Sequence, residues 1–172
     1  MTEEQAAAGP PADEAYGDDF IRQVLRDART IAMVGASANW NRPSYFAMKY
    51  LQGKGFRVIP VNPKEAAAGA EILGEKVYAS LPEIPDKVDM VDCFRNAEAV
   101  PPIADEAIAI GAKILWMQLG VRHDAAAAKA RAAGLRVVMN RCPKIEYGRL
   151  SGEIGWLGRN TGVISSKRRR GV

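Results

Sequence analysis

The fold is decided by residues 30–62, TIAMVGASANWNRPSYFAMKYLQGKGFRVIPVN. A short apolar run over residues 31–34 stops at Gly35, and a turn-rich connection leads to a helix that starts near Pro43. The helix ends in a Gly-Lys-Gly segment, which suits a left-handed cap, and a second apolar run follows over residues 56–61. Parallel strands joined by a helix put the loop after the first strand at the carboxyl edge of the sheet, where ligands bind.

The same alternation continues along the chain. Further strands are predicted over residues 88–94, 113–117 and 135–139, and helices over 20–28, 97–110, 123–133 and 143–150. Near-continuous apolar strands belong inside a parallel sheet that is covered on both faces, and the crossovers are right-handed. The sequence therefore predicts an α/β, Rossmann-like three-layer fold with a five-stranded parallel sheet. We predict the strand order 3-2-1-4-5, which opens a crevice between strands one and four.

Bulk properties indicate a single globular domain. The chain has 172 residues, 48% of them hydrophobic and 26% charged. It contains no apolar run of about 18 residues and no signal-peptide pattern, so no membrane span or membrane partner is expected. Two distant cysteines without a CxxC motif form no disulfide framework, and we predict a cytoplasmic location.

Composition divides the chain into three parts. Residues 1–18 are acidic and rich in Ala and Pro, and we predict that they are disordered. Residues 19–150 form the ligand-binding domain. Residues 151–172 are predicted to be a tail, with Trp156 and Leu157 available to dock on the body. The basic run at residues 167–170 has no interleaved aromatic residues, which favours a solvated tail over contact with nucleic acid.

The loop after the first strand is predicted to bind an anion. It is rich in hydrogen-bond donors, among them Ser37, Asn39 and Arg42, and it runs into a helix N-terminus at Ser44. Backbone amides, the helix dipole and the guanidinium of Arg42 together favour a phosphate. Lys64, just after the second strand, adds a further positive charge.

The nicotinamide fingerprint is incomplete. It requires three glycines after the first strand and an acid at the end of the second, where the acid holds the ribose hydroxyls. Only Gly35 is present, and the second strand ends in Asn62-Pro63-Lys64. This argues against NAD. An NADP site stays open, because Arg42 or Lys64 suits the extra phosphate.

Several motifs in order resemble a known family. They are Val34-Gly35-Ala36-Ser37, Arg42-Pro43-Ser44-Tyr45, Val58-Ile59-Pro60-Val61-Asn62-Pro63, Trp116-Met117-Gln118-Leu119-Gly120 and Asn140-Arg141-Cys142-Pro143. The chain resembles the small stand-alone CoA-binding proteins over residues 20–150. Their domain is similar to the CoA-binding domain of the succinyl-CoA synthetase alpha subunit.

The resemblance implies a cofactor, coenzyme A, and a set of contacts at the carboxyl ends of the strands. The implied binding residues are Gly35, Ala36, Ser37, Asn39, Arg42, Pro43, Ser44, Asn62, Pro63, Lys64, Phe94, Arg95, Met117, Gln118 and Leu119. The first loop would meet the diphosphate, and Lys64 would meet a phosphate on the adenosine side. Phe94 and Arg95 would border the adenine. Residues 117–119 would run along the pantetheine arm.

No catalytic or metal-binding residue is predicted. The single histidine, His123, is interpreted as a surface or cap residue, and Cys93 as a structural thiol. Cys142 is interpreted as a structural thiol as well, although its position suits a mixed disulfide with CoA. One histidine and two distant cysteines are too few for a metal site.

Three functions are compatible with the sequence. The leading hypothesis is a module that binds CoA or an acyl-CoA without chemistry of its own, because the synthetase carries its phosphorylated histidine in a second domain. The alternative is an NADP-dependent oxidoreductase that uses the same crevice. The third is an interaction protein with a vestigial crevice. A protein partner or homo-oligomer is compatible with each of them.

Overall fold

The computed structural model describes residues 16–152. A five-stranded parallel sheet lies between two layers of helices, which confirms the predicted α/β, Rossmann-like fold. The helices are α1 (Asp18–Asp27), α2 (Pro43–Gly53), α3 (Pro63–Ala67), α4 (Val100–Ala109), α5 (Asp124–Ala132) and α6 (Pro143–Leu150). The strands are β1 (Thr30–Val34), β2 (Arg57–Val61), β3 (Glu71–Ile72), β4 (Glu75–Lys76), β5 (Met90–Cys93), β6 (Ile114–Met117) and β7 (Arg136–Val138).

The order of the main sheet is β2-β1-β5-β6-β7, so the predicted order 3-2-1-4-5 is wrong. The third main strand, β5, pairs with β1 and does not lie outside β2. The outer edge of β2 is already occupied, because the Tyr78 amide donates to the Pro60 carbonyl (3.0 Å) and the Asn62 amide donates to the Tyr78 carbonyl (2.9 Å). The strand order therefore reverses between β1 and β5, and the crevice opens there instead of between strands one and four.

Alternating side chains of the sheet fill two cores. On one face, residues such as Met33 and Trp116 pack under α1, α2 and α6. On the other face, residues such as Val91 and Met117 pack under α4 and α5. The buried residues of α1, which are Ile21, Val24 and Leu25, lie in the first core.

Some predictions concern residues that the structure does not describe. Residues 1–15 of the acidic segment, for which disorder is predicted, lie outside the described range. The last residue of that segment, Asp18, is the first residue of α1. The proposed docking of Trp156 and Leu157 and the basic run at 167–170 also lie outside the described range. Within residues 16–152, no helix is long and apolar enough to cross a membrane.

Candidate ligand cleft

Gly35 allows the end of β1 to approach the end of β5. Its φ is +88°, and a Cβ atom at this position would lie 2.4 Å from the Phe94 carbonyl oxygen. Its amide donates to the Val61 carbonyl (2.8 Å), and the Phe94 amide donates to the Val34 carbonyl (2.8 Å). A side chain here would be strained both by the backbone conformation and by the contact. Glycine is therefore required where the three neighbouring strands end.

The loop after Gly35 is held by its own side chains. The Ser37 hydroxyl accepts a hydrogen bond from the Asn39 amide (3.1 Å), and Asn39 Oδ1 accepts one from the Asn41 amide (3.0 Å). The Arg42 amide donates to the Asn39 carbonyl (3.0 Å). Short polar side chains that bond two residues ahead are typical of tight turns. Ser37 and Asn39 thus shape the loop, and the loop delivers the chain to the start of α2.

The N-terminus of α2 is open. Pro43 is its first residue, and the N-cap residue, Arg42, makes no side-chain capping hydrogen bond. Ser44 is only 5% exposed. The first amides of a helix have no partner within the helix, and they carry the positive end of the helix dipole. Here Pro43 has no N–H and the Tyr45 amide donates to the Arg42 carbonyl (3.0 Å), so an acceptor that approaches this end of α2 meets mainly the positive end of the dipole.

Asn62 joins the end of β2 to the first loop. Its Nδ2 donates to the Ala36 carbonyl (2.8 Å), while its Oδ1 accepts from the amides of Lys64 (3.0 Å) and Glu65 (3.4 Å). Asn62 therefore caps α3 and fixes Lys64 beside the loop. The result is an open cavity of ≈ 440 Å³, here called the polar basin. Its lining residues are Gly35, Ser37, Arg42, Pro43, Ser44, Asn62, Lys64, Glu65 and Phe94.

Glu65 is a lining residue of the polar basin that the sequence reasoning missed. Its carboxylate accepts a hydrogen bond from the Ala38 amide (3.2 Å), so it occupies one of the donors of the loop. The signal was present in the sequence, because Glu65 stands three residues after the helix cap Asn62, the usual place for a capping acid. The basin thus combines the charges of Arg42 and Lys64 with one carboxylate.

A larger cavity of ≈ 730 Å³ adjoins the polar basin and shares Pro43 and Phe94 with it. We call it the apolar cavity. Its lining residues are Asn41, Pro43, Phe46, Ala47, Phe94, Arg95, Asn96, Gln118, Leu119, Val121, Cys142, Lys144 and Ile145. Phe46 and Leu119 are 49% and 56% exposed, and Trp40 in the first loop is 65% exposed. Exposed large apolar side chains that cluster around one opening mark a binding surface.

A buried carboxyl group lies next to the apolar cavity. Asp92, on β5, is fully buried, and its Oδ1 accepts a hydrogen bond from Gln118 Nε2 (2.7 Å). Its Oδ2 has no hydrogen-bond partner among the described residues. Burial raises the pKa of Asp92 to about 7, although the bond from Gln118 acts in the opposite direction. Near neutral pH this carboxyl is therefore only partly ionised.

Cys142 lines the apolar cavity as the N-cap residue of α6. Burial raises the pKa of its thiol; the amide of Ile145 lowers it, and the charge of Asp92 raises it again. The thiol is therefore protonated at neutral pH and is a poor nucleophile. Cys93 lies in the core, as predicted, and burial raises its pKa to about 11.

Of the fifteen predicted binding residues, eleven line one of the two cavities. Ala36, Asn39, Pro63 and Met117 do not. Ala36 is buried and holds Asn62 through its carbonyl, and Pro63 is the first residue of α3. Met117 is fully buried in the core under α4 and α5, whereas its neighbours Gln118 and Leu119 reach the apolar cavity.

His123 is a helix cap, as predicted. Its Nδ1 accepts a hydrogen bond from the Ala126 amide (3.1 Å) at the start of α5. In the part of the chain that the structure describes, no group of three His, Cys, Asp or Glu side chains is arranged to hold a metal ion.

Comparison with known proteins agrees with this geometry. The model of the CoA binding domain family matches residues 29–148. Uncharacterized protein YneT from Bacillus subtilis is 34% identical over 127 residues, which cover 74% of this chain and 91% of that protein. A hypothetical protein from Pyrococcus horikoshii has a similar structure, with a TM-score of 0.76 and 40% identity over 84% of this chain and 99% of that one.

A longer relative carries the same domain as one of its parts. The alpha subunit of ADP-forming acetate–CoA ligase I from Pyrococcus furiosus is 36% identical over 97 residues, which are 54% of this chain but only 21% of that subunit. The family match covers most of the described residues and includes every lining residue of both cavities. The chain therefore belongs to the CoA-binding domain family, as its motifs predicted.

Proposed function

We propose that the chain binds coenzyme A or an acyl-CoA across the polar basin and the apolar cavity, without catalysis of its own. The observation that carries this proposal is the junction of the two cavities at Pro43 and Phe94. Coenzyme A has a phosphorylated nucleotide and a long, mostly uncharged arm. A basin with cations beside a larger cavity with apolar walls suits both halves of that molecule.

The phosphates belong in the polar basin. The N-terminus of α2 supplies the positive end of the helix dipole. Arg42, at the end of the first loop, and Lys64, in α3, line the same basin. Under this proposal Arg42 and the first loop meet the diphosphate, and Lys64 meets the phosphate on the adenosine side.

The remaining parts of the ligand belong along the apolar cavity. Phe94 lines both cavities and Arg95 lines the apolar cavity beside it, and the two residues would border the adenine. Gln118 and Leu119 line the apolar cavity and would run beside the pantetheine arm. The exposed ring of Phe46 would be covered by the same arm, which removes apolar surface from water.

The protonation, burial and hydrogen bonding of Cys142, Asp92 and His123 support a role in binding without catalysis. The Cys142 thiol is held protonated by burial, and Asp92 makes no contact with solvent. The imidazole of His123 is used to cap α5. None of these three groups is prepared to act as a nucleophile or a general base at neutral pH.

Calorimetric titration with CoA, NADPH and NAD tests the proposal. We expect CoA to bind and NAD not to bind. Arg42→Ala and Lys64→Ala should each weaken CoA binding by about tenfold, because each removes a charge-assisted contact with phosphate. Arg26→Ala and Lys87→Ala are matched controls, since both residues are exposed and neither lines the basin or the cavity.

The other outcomes separate the alternatives. Tight NADPH binding without a response to CoA would support the oxidoreductase hypothesis. No response to any nucleotide would support an interaction protein whose cleft is vestigial. Equal affinity for CoA in the two cleft variants and the two controls would refute the phosphate assignment. A comparison of CoA with acetyl-CoA in the same titration tests the preference between the free thiol and the thioester.

A further inference from the structure

Gln118 presents a polar group in the apolar cavity. It follows β6 directly and is only 5% exposed. Its Nε2 donates a 2.7 Å hydrogen bond to Oδ1 of Asp92 on the neighbouring strand. The amide nitrogen is thus bonded to Asp92, while the residue also lines the apolar cavity.

The chemistry of Asp92 determines which way round the Gln118 amide lies. When Asp92 is ionised, its carboxylate only accepts hydrogen bonds, so the Gln118 amide then has to turn its nitrogen to Asp92. The oxygen of the same amide then has to point away from Asp92. Without a carboxyl group at this position the amide would be free to lie either way round.

Asp92 is costly to the fold, which argues that it serves another purpose. It is fully buried, and its Oδ2 has no partner among residues 16–152. It shares a sheet face with Met33 and Trp116, to which it is paired in register. An apolar side chain would suit this environment better than a carboxyl group with one oxygen left unsatisfied.

We propose that Asp92 is a positioning residue that holds the Gln118 carbonyl oxygen toward the apolar cavity, where it accepts a hydrogen bond from an amide N–H of the ligand arm. This inference rests on the proposed function and deepens it. The nucleotide half of the ligand makes no use of this contact. The pair therefore selects for ligands that carry an amide-bearing arm over nucleotides that lack one.

Two ligands and a double-mutant cycle test the inference. The ligands are CoA and adenosine 3′-phosphate 5′-diphosphate, which is the same nucleotide without the arm. Gln118→Leu should weaken CoA binding by about fivefold, the effect of one net hydrogen bond, and should leave the nucleotide unchanged. Asp92→Leu should have the same selective effect. The double variant should bind CoA no more weakly than Gln118→Leu, because Asp92 acts through Gln118.

Controls keep the test decisive. Gln52→Leu removes a glutamine of α2 that bonds to the Leu73 carbonyl and does not line the apolar cavity, so neither affinity should change. Asp92→Asn keeps the shape of the side chain and replaces the leucine variant if that one does not fold. Asp92→Asn should also weaken the binding of CoA and not that of the nucleotide. The amide of the introduced asparagine can either accept a hydrogen bond from the Gln118 amide or donate one to it, so it no longer fixes the orientation of Gln118.

The contrary results are distinct. Additive losses in the double variant, or equal losses for both ligands, would overturn the positioning role while leaving CoA binding intact. Failure of the wild-type protein to bind CoA at all would overturn the proposed function and this inference together.

Discussion

Replacement of Asp92 by asparagine should change the pH dependence of stability. The carboxyl group is fully buried, and burial raises its pKa from the ordinary 3.8 to about 7. The native state therefore holds a proton that the unfolded chain has already released above about pH 4. The contribution of Asp92 to the free energy of unfolding is fully present at low pH and is lost as the pH rises through the pKa of the folded state. Because asparagine cannot ionise, the free energy of unfolding of the variant does not fall with pH for this reason.

The size of the effect follows from the displaced pKa. A tenfold change in the proton equilibrium corresponds to about 1.4 kcal/mol, so the displacement from 3.8 to about 7 corresponds to about 4 kcal/mol in total. About 3 kcal/mol of this falls between about pH 5 and about pH 8. Oδ2 of Asp92 has no hydrogen-bond partner among the described residues, and in the variant an amide group takes its place. That cost is the same at every pH, and it cancels when the two pH values are compared.

Urea unfolding of both proteins without ligand, at about pH 5 and about pH 8, measures the difference. The unfolding free energy of Asp92→Asn relative to wild type should rise by about 3 kcal/mol between the two pH values. The other titrating groups are the same in both chains, so their contributions cancel. A relative stability that stays constant to within about 0.5 kcal/mol would refute the view that Asp92 is buried without charge compensation.

Three further changes test the cleft. Glu65→Gln should strengthen CoA binding about threefold, because it removes a carboxylate from the basin in which we propose that the phosphates bind; titration at low salt measures the affinity. Gly35→Ala should destabilise the fold by about 2–3 kcal/mol in urea, whereas Gly53→Ala, which meets no neighbouring atom, should not. Iodoacetamide should modify Cys142 more slowly than a free cysteine at about pH 7, and bound CoA should slow it further. The first expectation is contradicted if Glu65→Gln leaves the affinity unchanged, and the second if the two alanine variants are equally stable. The third is contradicted if Cys142 is alkylated as fast as a free cysteine.

The local sequence was sufficient for the five strands of the main sheet, for the longer helices and for half of the cleft, but not for the short elements α3, β3 and β4. The first unit, from β1 to β2, was predicted because its apolar periods, its glycines and its Pro43 helix start are all local signals. The polar basin follows directly from that unit, since Gly35 and Arg42 belong to one loop. The strand order was not predictable in the same way. It depends on a contact between Tyr78 and β2 that covers the sheet edge, and no local pattern encodes it.

The missed features depend on neighbours that are distant in sequence. Asp92 and Gln118 meet because β5 and β6 pair with Cys93 opposite Met117, a register that the sequence alone does not reveal. The alternation of side chains along β6 places Met117 in the core and Gln118 at the cavity. Residues 117–119 therefore do not line the cavity as one continuous stretch. Glu65 could be placed in the first turn of a helix from its spacing to Asn62, but its hydrogen bond with the amide of Ala38 depends on the tertiary fold.

The hydrogen bonds within the first loop have a consequence for how a ligand is received. Ser37 and Asn39 already fix the turn, and Asn62 ties it to the neighbouring strand. Under the proposed function, a phosphate group therefore meets a loop whose shape is already fixed, and little conformational entropy of the loop is lost when it arrives. We expect association to be limited by diffusional encounter and orientation, with the lifetime of the complex determined mainly by how fast the ligand leaves.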